Sequence, residues 1–211
     1  MKIGLHFCEQ LIGFDPGVIR DYAVLAEELG FDHITCVDHV LGTEHADRNP
    51  PFQADGIYTE DSVFHEPLTM FSFMAGATSR IEFCTSVIVL PQRQTALLAK
   101  QTAELALLSN HRFRLGVGSG WNHVEYRALG GDFRRRGRVQ EDQVDVLRRL
   151  WSEKIVDIDT DFHRIDRAAS TRGSTGRSRS GSVASARSRW TAARGSATAS
   201  SGRATARTPV G

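Results

Sequence analysis

The sequence predicts an α/β protein built from consecutive βα units, and three observations predict it. Short apolar runs with strand character alternate with longer stretches of helical periodicity. The helical stretches carry start and stop residues at their ends. The run at 81–90 is apolar on both faces near its end, as a buried parallel strand should be. Strand, helix and strand in succession return by a right-handed crossover, so the sheet is expected to be parallel. Periodicity alone fits either an open doubly wound sheet or a (β/α)8 barrel.

Each element has its own justification. The run KIGLHFC at 2–8 reads as a first strand. Asp15-Pro16 then supplies an N-cap and a first-turn proline, and Val18, Tyr22, Leu25 and Leu29 fall on one helical face before Gly30 ends it, predicting a helix over 16–30. HITCV at 33–37 is a second strand. A polar loop rich in Gly and Pro runs from 41 to 65, long enough to suggest function or disorder. Pro67 opens a helix over 67–79 with Leu68, Phe71 and Ala75 on one side. After the third strand at 81–90, Leu98, Thr102, Leu105 and Leu108 predict a helix over 95–109. RFRLGV marks a fourth strand at 112–118, Val139, Val146, Leu147 and Leu150 a helix over 138–151, and 155–158 a further strand.

Composition divides the chain into two. All 25 acidic residues and 18 of the 26 basic ones lie in 1–167, whereas 168–211 holds 8 Arg, no Lys and no acid among Ser, Ala, Thr and Gly. Trp190, Val183 and Val210 cannot offset the entropy of ordering that segment, which is expected to be a disordered tail. Its abrupt onset near Arg167 is what an out-of-frame reading of a GC-rich coding sequence yields. No apolar run approaches the ~20 residues needed to span a bilayer, Glu9 interrupts any signal-peptide core, and Cys8, Cys36 and Cys84 form no C-x-x-C pair. A soluble cytoplasmic protein is expected, with the three thiols as small buried groups.

Candidate chemistry gathers at strand ends. Asp38-His39 closes the second strand, where barrel enzymes place reactive groups and where a carboxylate can orient an imidazole. The alternative is an ordinary loop-edge pair. Gly116, Gly118 and Gly120 have the wrong spacing for a dinucleotide fingerprint, and His39, Glu44 and His45 match no zinc spacing, so no metal is expected. Trp121 and Asn122 fall at the mouth of the fourth strand, where Trp121 either stacks on a ring or covers the barrel end.

Taken in order, Asp38-His39, Thr85-Ser86-Val87, Pro91-x-Arg93, Ala99-Lys100-Gln101, LGVGSGW from Leu115 to Trp121, Glu125 and Ala128-Leu129-Gly130 resemble the luciferase-like monooxygenase superfamily, and most of all its branch dependent on the deazaflavin coenzyme F-420. The resemblance covers nearly all of 1–167. It implies a (β/α)8 barrel of TIM type with the coenzyme at the C-terminal mouth, a non-proline cis peptide at Ser86-Val87, and His39 as the catalytic group, oriented by Asp38. Thr85, Ser86, Val87, Gly118, Trp121 and Asn122 are the candidate cofactor-binding residues. A full barrel takes about 250 residues, so the domain 1–167 is expected to be a truncated barrel of roughly its first four to five βα units, with impaired activity.

Two departures qualify the resemblance. His111 stands where a Gly usually precedes the fourth strand, and Asn110 is expected to supply the left-handed cap instead. Trp121 stands where sugar-phosphate dehydrogenases of the branch carry an acid, so that substrate is not expected. The reading is hydride transfer between F-420 and an unknown small organic substrate, with a second copy of the chain, as a homodimer, a candidate partner and neither membrane nor nucleic acid expected as one. One alternative is an FMN-dependent two-component monooxygenase. Another is a non-enzymatic binding module whose arginine-rich tail contacts nucleic acid.

Overall fold

The computed structural model describes residues 1–44 and 58–170 together with the strand at 184–185. Within the expected loop, 45–57, including His45, lies outside the described residues, as does the tail apart from 168–170 and 184–185.

Among the described residues up to 118, six strands carry the sheet: β1 (Gly4–His6), β2 (His33–Cys36), β3 (Glu82–Thr85), β4 (Ile88–Val89), β5 (Phe113–Arg114) and β6 (Gly116–Gly118). They pair in parallel, in the order β1-β2-β3-β5, with β4 beside β6 continuing the same two neighbours. The strand expected at 81–90 is thus β3 and β4, separated by the Ser86–Val87 peptide, which is cis as the resemblance implied. Beyond these, β7 (Val156–Asp159) lies where a further strand was expected and forms an antiparallel hairpin with β8 (Arg164–Ala168). In the segment expected to be disordered, β9 (Ala184–Ser185) runs parallel to β6.

The four expected helices are present as α2 (Pro16–Glu28), α3 (Pro67–Ala77), α4 (Thr95–Leu108) and α6 (Arg136–Ser152); two short ones, α1 (Glu9–Ile12) and α5 (His123–Ala128), follow β1 and β6. Asp15 caps α2 by accepting from the amides of Gly17 and Val18, with Pro16 in the first turn. The buried face of α2 differs from the one its large residues suggested. Ile19, Ala23 and Ala26 face the core, while Val18, Leu25 and Leu29 are exposed, Leu29 by 75%. The two alanines let the helix lie close to the sheet, so the small face wins over the bulky one. Tyr22 alone of the expected stripe packs inward, edge-on to Phe7 at 5.2 Å, with its hydroxyl donating to the His6 carbonyl. The core between sheet and helices includes Phe7, Ile34, Phe71, Phe83 and Leu105, each large side chain contributing roughly 1.5–3 kcal/mol by burial.

The N-terminal edge of the sheet is sewn shut by two side chains. Arg112 donates to the carbonyls of Ala75, Thr78, Ile81 and Ser109 and to Thr78 Oγ1, capping the ends of α3 and α4 together. Glu27 accepts from the amides of Ser79, Arg80 and Ile81. Asn110 takes the left-handed conformation expected of it (φ 51°), and His111 does so as well (φ 61°). At the other side, His163 fastens the hairpin, its Nδ1 2.5 Å from Asp142 Oδ2 on α6 and its Nε2 2.5 Å from Thr95 Oγ1 on α4. Among the described residues, no helix is long and apolar enough to cross a membrane.

Candidate active site

The C-terminal ends of the strands bring together Glu9 after β1, Asp38 and His39 after β2, Ser86 and Val87 after β3, and Trp121, Asn122 and Glu125 after β6. Ser86 N donates to the Cys36 carbonyl at 2.7 Å, which sets the β3 end against the β2 end.

Asp38 and His39 part company at once. Just past the end of β2, Asp38 turns away from its neighbour. Its Oδ1 accepts from Arg93 Nη2 at 2.6 Å, and its Oδ2 accepts from the Val89 amide at 2.9 Å and from Arg93 Nε at 3.2 Å. Arg93 also donates to Glu66, the N-cap of α3, at 2.9 Å. The expectation that Asp38 orients His39 is therefore corrected: Asp38 ties the end of β2 to that of β4.

The group holding His39 is Glu125. The imidazole Nδ1 lies 3.2 Å from Glu125 Oε1 and 3.4 Å from Oε2, and Oε1 also accepts from the amides of Val40 (2.7 Å) and Leu41 (3.1 Å). Burial works against the Glu125 charge, but the hydrogen bond from His39 and these amides outweigh it and hold its pKa below the usual value. An ionised carboxylate only accepts, so Nδ1 carries the hydrogen and Nε2 is the ring nitrogen left for other work. Asn122 caps α5 by accepting from Val124 and Glu125 amides and donates to Thr43 at 3.2 Å. That cap places Glu125 in the first turn of α5, where a negative charge is favoured.

The other candidates divide. Ser86 is exposed and Val87 half-buried, an open polar-apolar surface at the mouth. Thr85 is turned inward: its hydroxyl donates to the Gly116 carbonyl at 2.8 Å and accepts from the Gly116 amide at 2.9 Å, joining β3 to β6. Gly118 is buried, and a Cβ there would come within 2.5 Å of Val87 Cγ2; Gly120 stands in the same relation to Val89 Cγ1, and Gly116 lies against the backbone carbonyl of Thr85. The glycine run thus serves strand packing. Both polar atoms of the Asn122 side chain have protein partners. Trp121 meets His39 edge-on at 5.5 Å.

Sequence reasoning assigned no role to Glu9, Tyr58, Phe64 or Glu125. Tyr58 and Phe64 flank the His39 ring at 4.6 and 5.0 Å. Glu9 is 2% exposed, accepts from the His65 amide at 3.0 Å, and is pushed above its usual pKa by burial. Asn122 followed three residues later by Glu125 was the available signal for that carboxylate; Glu9 had none, because it ends an apolar run.

A parallel βα array with a buried carboxylate-held imidazole at the C-terminal ends of its strands is the placement that barrel enzymes use for their reactive groups. The sequence matches the luciferase-like monooxygenase family over residues 8–204, and the chain belongs to that family. The match runs past Arg167 into the arginine-rich segment, as β9 does. The chain is 31% identical over 167 residues to the F420-dependent glucose-6-phosphate dehydrogenase of Kribbella flavida, covering 77% of this chain and 46% of that one. Among solved structures, it resembles an F420-dependent secondary alcohol dehydrogenase in complex with an F420-acetone adduct (TM-score 0.61, 22% identity, 80% of this chain and 48% of that one). It also resembles the oxygenating constituent of 3,6-diketocamphane monooxygenase of Pseudomonas putida in complex with FMN (TM-score 0.62, 19% identity, 78% and 43%). These likenesses establish the fold as the first part of a (β/α)8 barrel. The chain spans about half the length of the curated relatives it matches.

Proposed function

We propose that this chain carries the proton-handling half of a coenzyme F-420-dependent oxidoreductase that moves hydride between the deazaflavin and a small organic substrate. The observation that carries the reading is the His39–Glu125 pair, whose fixed tautomer leaves Nε2 facing its own task. The residues fit such a coenzyme: Ser86 and Val87 offer an open surface beside the end of β2, with buried neighbours Thr85 and Ile88 holding them. They would hold the ring system, together with His39. When bound, the deazaflavin supplies the hydride acceptor or donor.

This chain's own residues do the rest. His39 takes or gives a proton at Nε2, Glu125 keeps the ring oriented and balances its charge, and Tyr58, Phe64 and Trp121 exclude water from it. Arg93 and Asp38 act as the frame. The FMN reading is favoured by the solved relative that holds FMN, and one experiment separates the two. Titration with each coenzyme, followed by its fluorescence, should give tighter binding for F-420. The reduced complex should reoxidise slowly in air. Rapid consumption of oxygen would transfer the assignment to a flavin monooxygenase.

A further inference from the structure

The walls of the site have a consistent chemical character. Tyr58, Phe64 and Trp121 enclose the His39 ring at centroid distances of 4.6, 5.0 and 5.5 Å, and Tyr58 and Trp121 lie nearly parallel, 25° apart at 6.3 Å. Beside this cage, Trp121 is 41% exposed, Leu41 41% and Val40 48%, an apolar surface facing solvent where polar residues would usually stand. The charges around it are mostly carboxylates, Asp38, Glu66 and Glu125, while burial pushes the nearby Glu9 carboxyl toward its neutral form. The guanidinium among them, Arg93, is fully engaged by Asp38 and Glu66, with only 16% of its side chain exposed. A phosphate dianion brought to His39 would meet the buried Glu125 carboxylate 3.2 Å from the ring, while the nearby Arg93 is already committed to Asp38 and Glu66.

We infer that the substrate of this site is a neutral, ring-bearing organic molecule, aryl or cycloalkyl, that stacks on Trp121, and that sugar phosphates are excluded. The inference rests on the oxidoreductase reading for its consequence but not for its binding step, because the cage is made of protein side chains alone. It separates this chain from its sugar-phosphate-oxidising relative despite 31% identity. An aromatic face contributes by area and by ring geometry, and a site of buried carboxylates discriminates against anions by repulsion.

The test uses the full chain and two probes, acetophenone and glucose 6-phosphate, with binding read by saturation-transfer NMR on the ligand, in the absence and presence of F-420. Acetophenone should bind at least about tenfold more tightly than glucose 6-phosphate in both states. Trp121→Ala should weaken acetophenone about tenfold, since roughly 1.4 kcal/mol is a factor of ten, and Trp121→Phe should restore most of it. Circular dichroism of both variants verifies that they fold. Equal or tighter binding of glucose 6-phosphate, or an acetophenone affinity indifferent to Trp121→Ala, overturns the inference. Trp121-dependent acetophenone binding without any F-420 binding upholds it and removes the oxidoreductase reading instead.

Discussion

The two ends of the sheet use the same residue type in opposite ways. At the N-terminal edge, desolvation is the largest single influence on Glu27, but the combined bonds from Ile81, Arg80 and Ser79 outweigh it, and its pKa falls to about 2. At the C-terminal edge, Glu9 is buried with too few partners to compensate, and its pKa rises. One carboxylate strengthens the fold by being charged; the other weakens it by being charged. Stability is assembled at one edge and held in tension at the other, which is the division expected of a barrel whose chemistry sits at the C-terminal mouth.

The largest expected effect breaks the mouth. In a chain carrying the full barrel length of its relatives, His39→Ala should lower turnover about 10²–10⁴-fold with coenzyme affinity nearly unchanged, measured by steady-state kinetics and coenzyme titration. Glu125→Gln should approach that loss, because an amide can hold Nδ1 in place but cannot balance a proton gained at Nε2. Loss of affinity alone would make His39 a wall of the site.

The next breaks the opposite edge. Arg112→Ala leaves the carbonyls of Ala75, Thr78, Ile81 and Ser109 short of a donor and should cost roughly 2–4 kcal/mol of unfolding free energy by denaturant titration. Its effect on F-420 affinity should be negligible, and a large one would mean that the two edges are coupled.

A pH pair sharpens the comparison. Glu27 has a folded pKa of about 2 against the usual 4.5, so its contribution is present above pH 4.5 and is lost as pH falls from there toward 2. Glu27→Gln should therefore lower Tm at pH 7, by an amount corresponding to roughly 1–3 kcal/mol, and the difference should shrink below pH 4.5. Glu9 has a raised folded pKa, so the stability linked to its proton is present below its unfolded pKa and lost as pH rises through the folded one. Glu9→Gln should raise Tm at pH 7 and lose that advantage in acid. Parallel rather than crossing pH curves would refute the contrast.

The smallest effect concerns the α4 terminus. His111→Gly relieves a side chain in the left-handed region (φ 61°) and should stabilise by roughly 1 kcal/mol, or a Tm rise of about 2–4 °C.

What could be read in advance follows from the range of the forces involved. Asp15-Pro16 and Pro67 act within one helical turn, so the starts of α2 and α3 were legible. The exchange of Val18 and Leu25 for Ile19 and Ala23 on the buried face was not, because it depends on how closely α2 approaches the sheet. The pairing of Asp38 with His39 was misjudged for the same reason. Adjacency along the chain put them together, whereas the fold brought Asp38 to Arg93, 55 positions on, and His39 to Glu125, 86 positions on.

The seam between 87–89 and 118–120, where β4 lies beside β6, has a consequence for how this family can change. Val87 and Val89 present side chains at alternate positions, and Gly118 and Gly120 answer them with none. It is a zipper with teeth on one side only. A tooth added at Gly118 fits only after one is filed down at Val87, so the two positions are constrained to drift as a couple. Their history should be written in matched pairs, and the single steps between them should be rare.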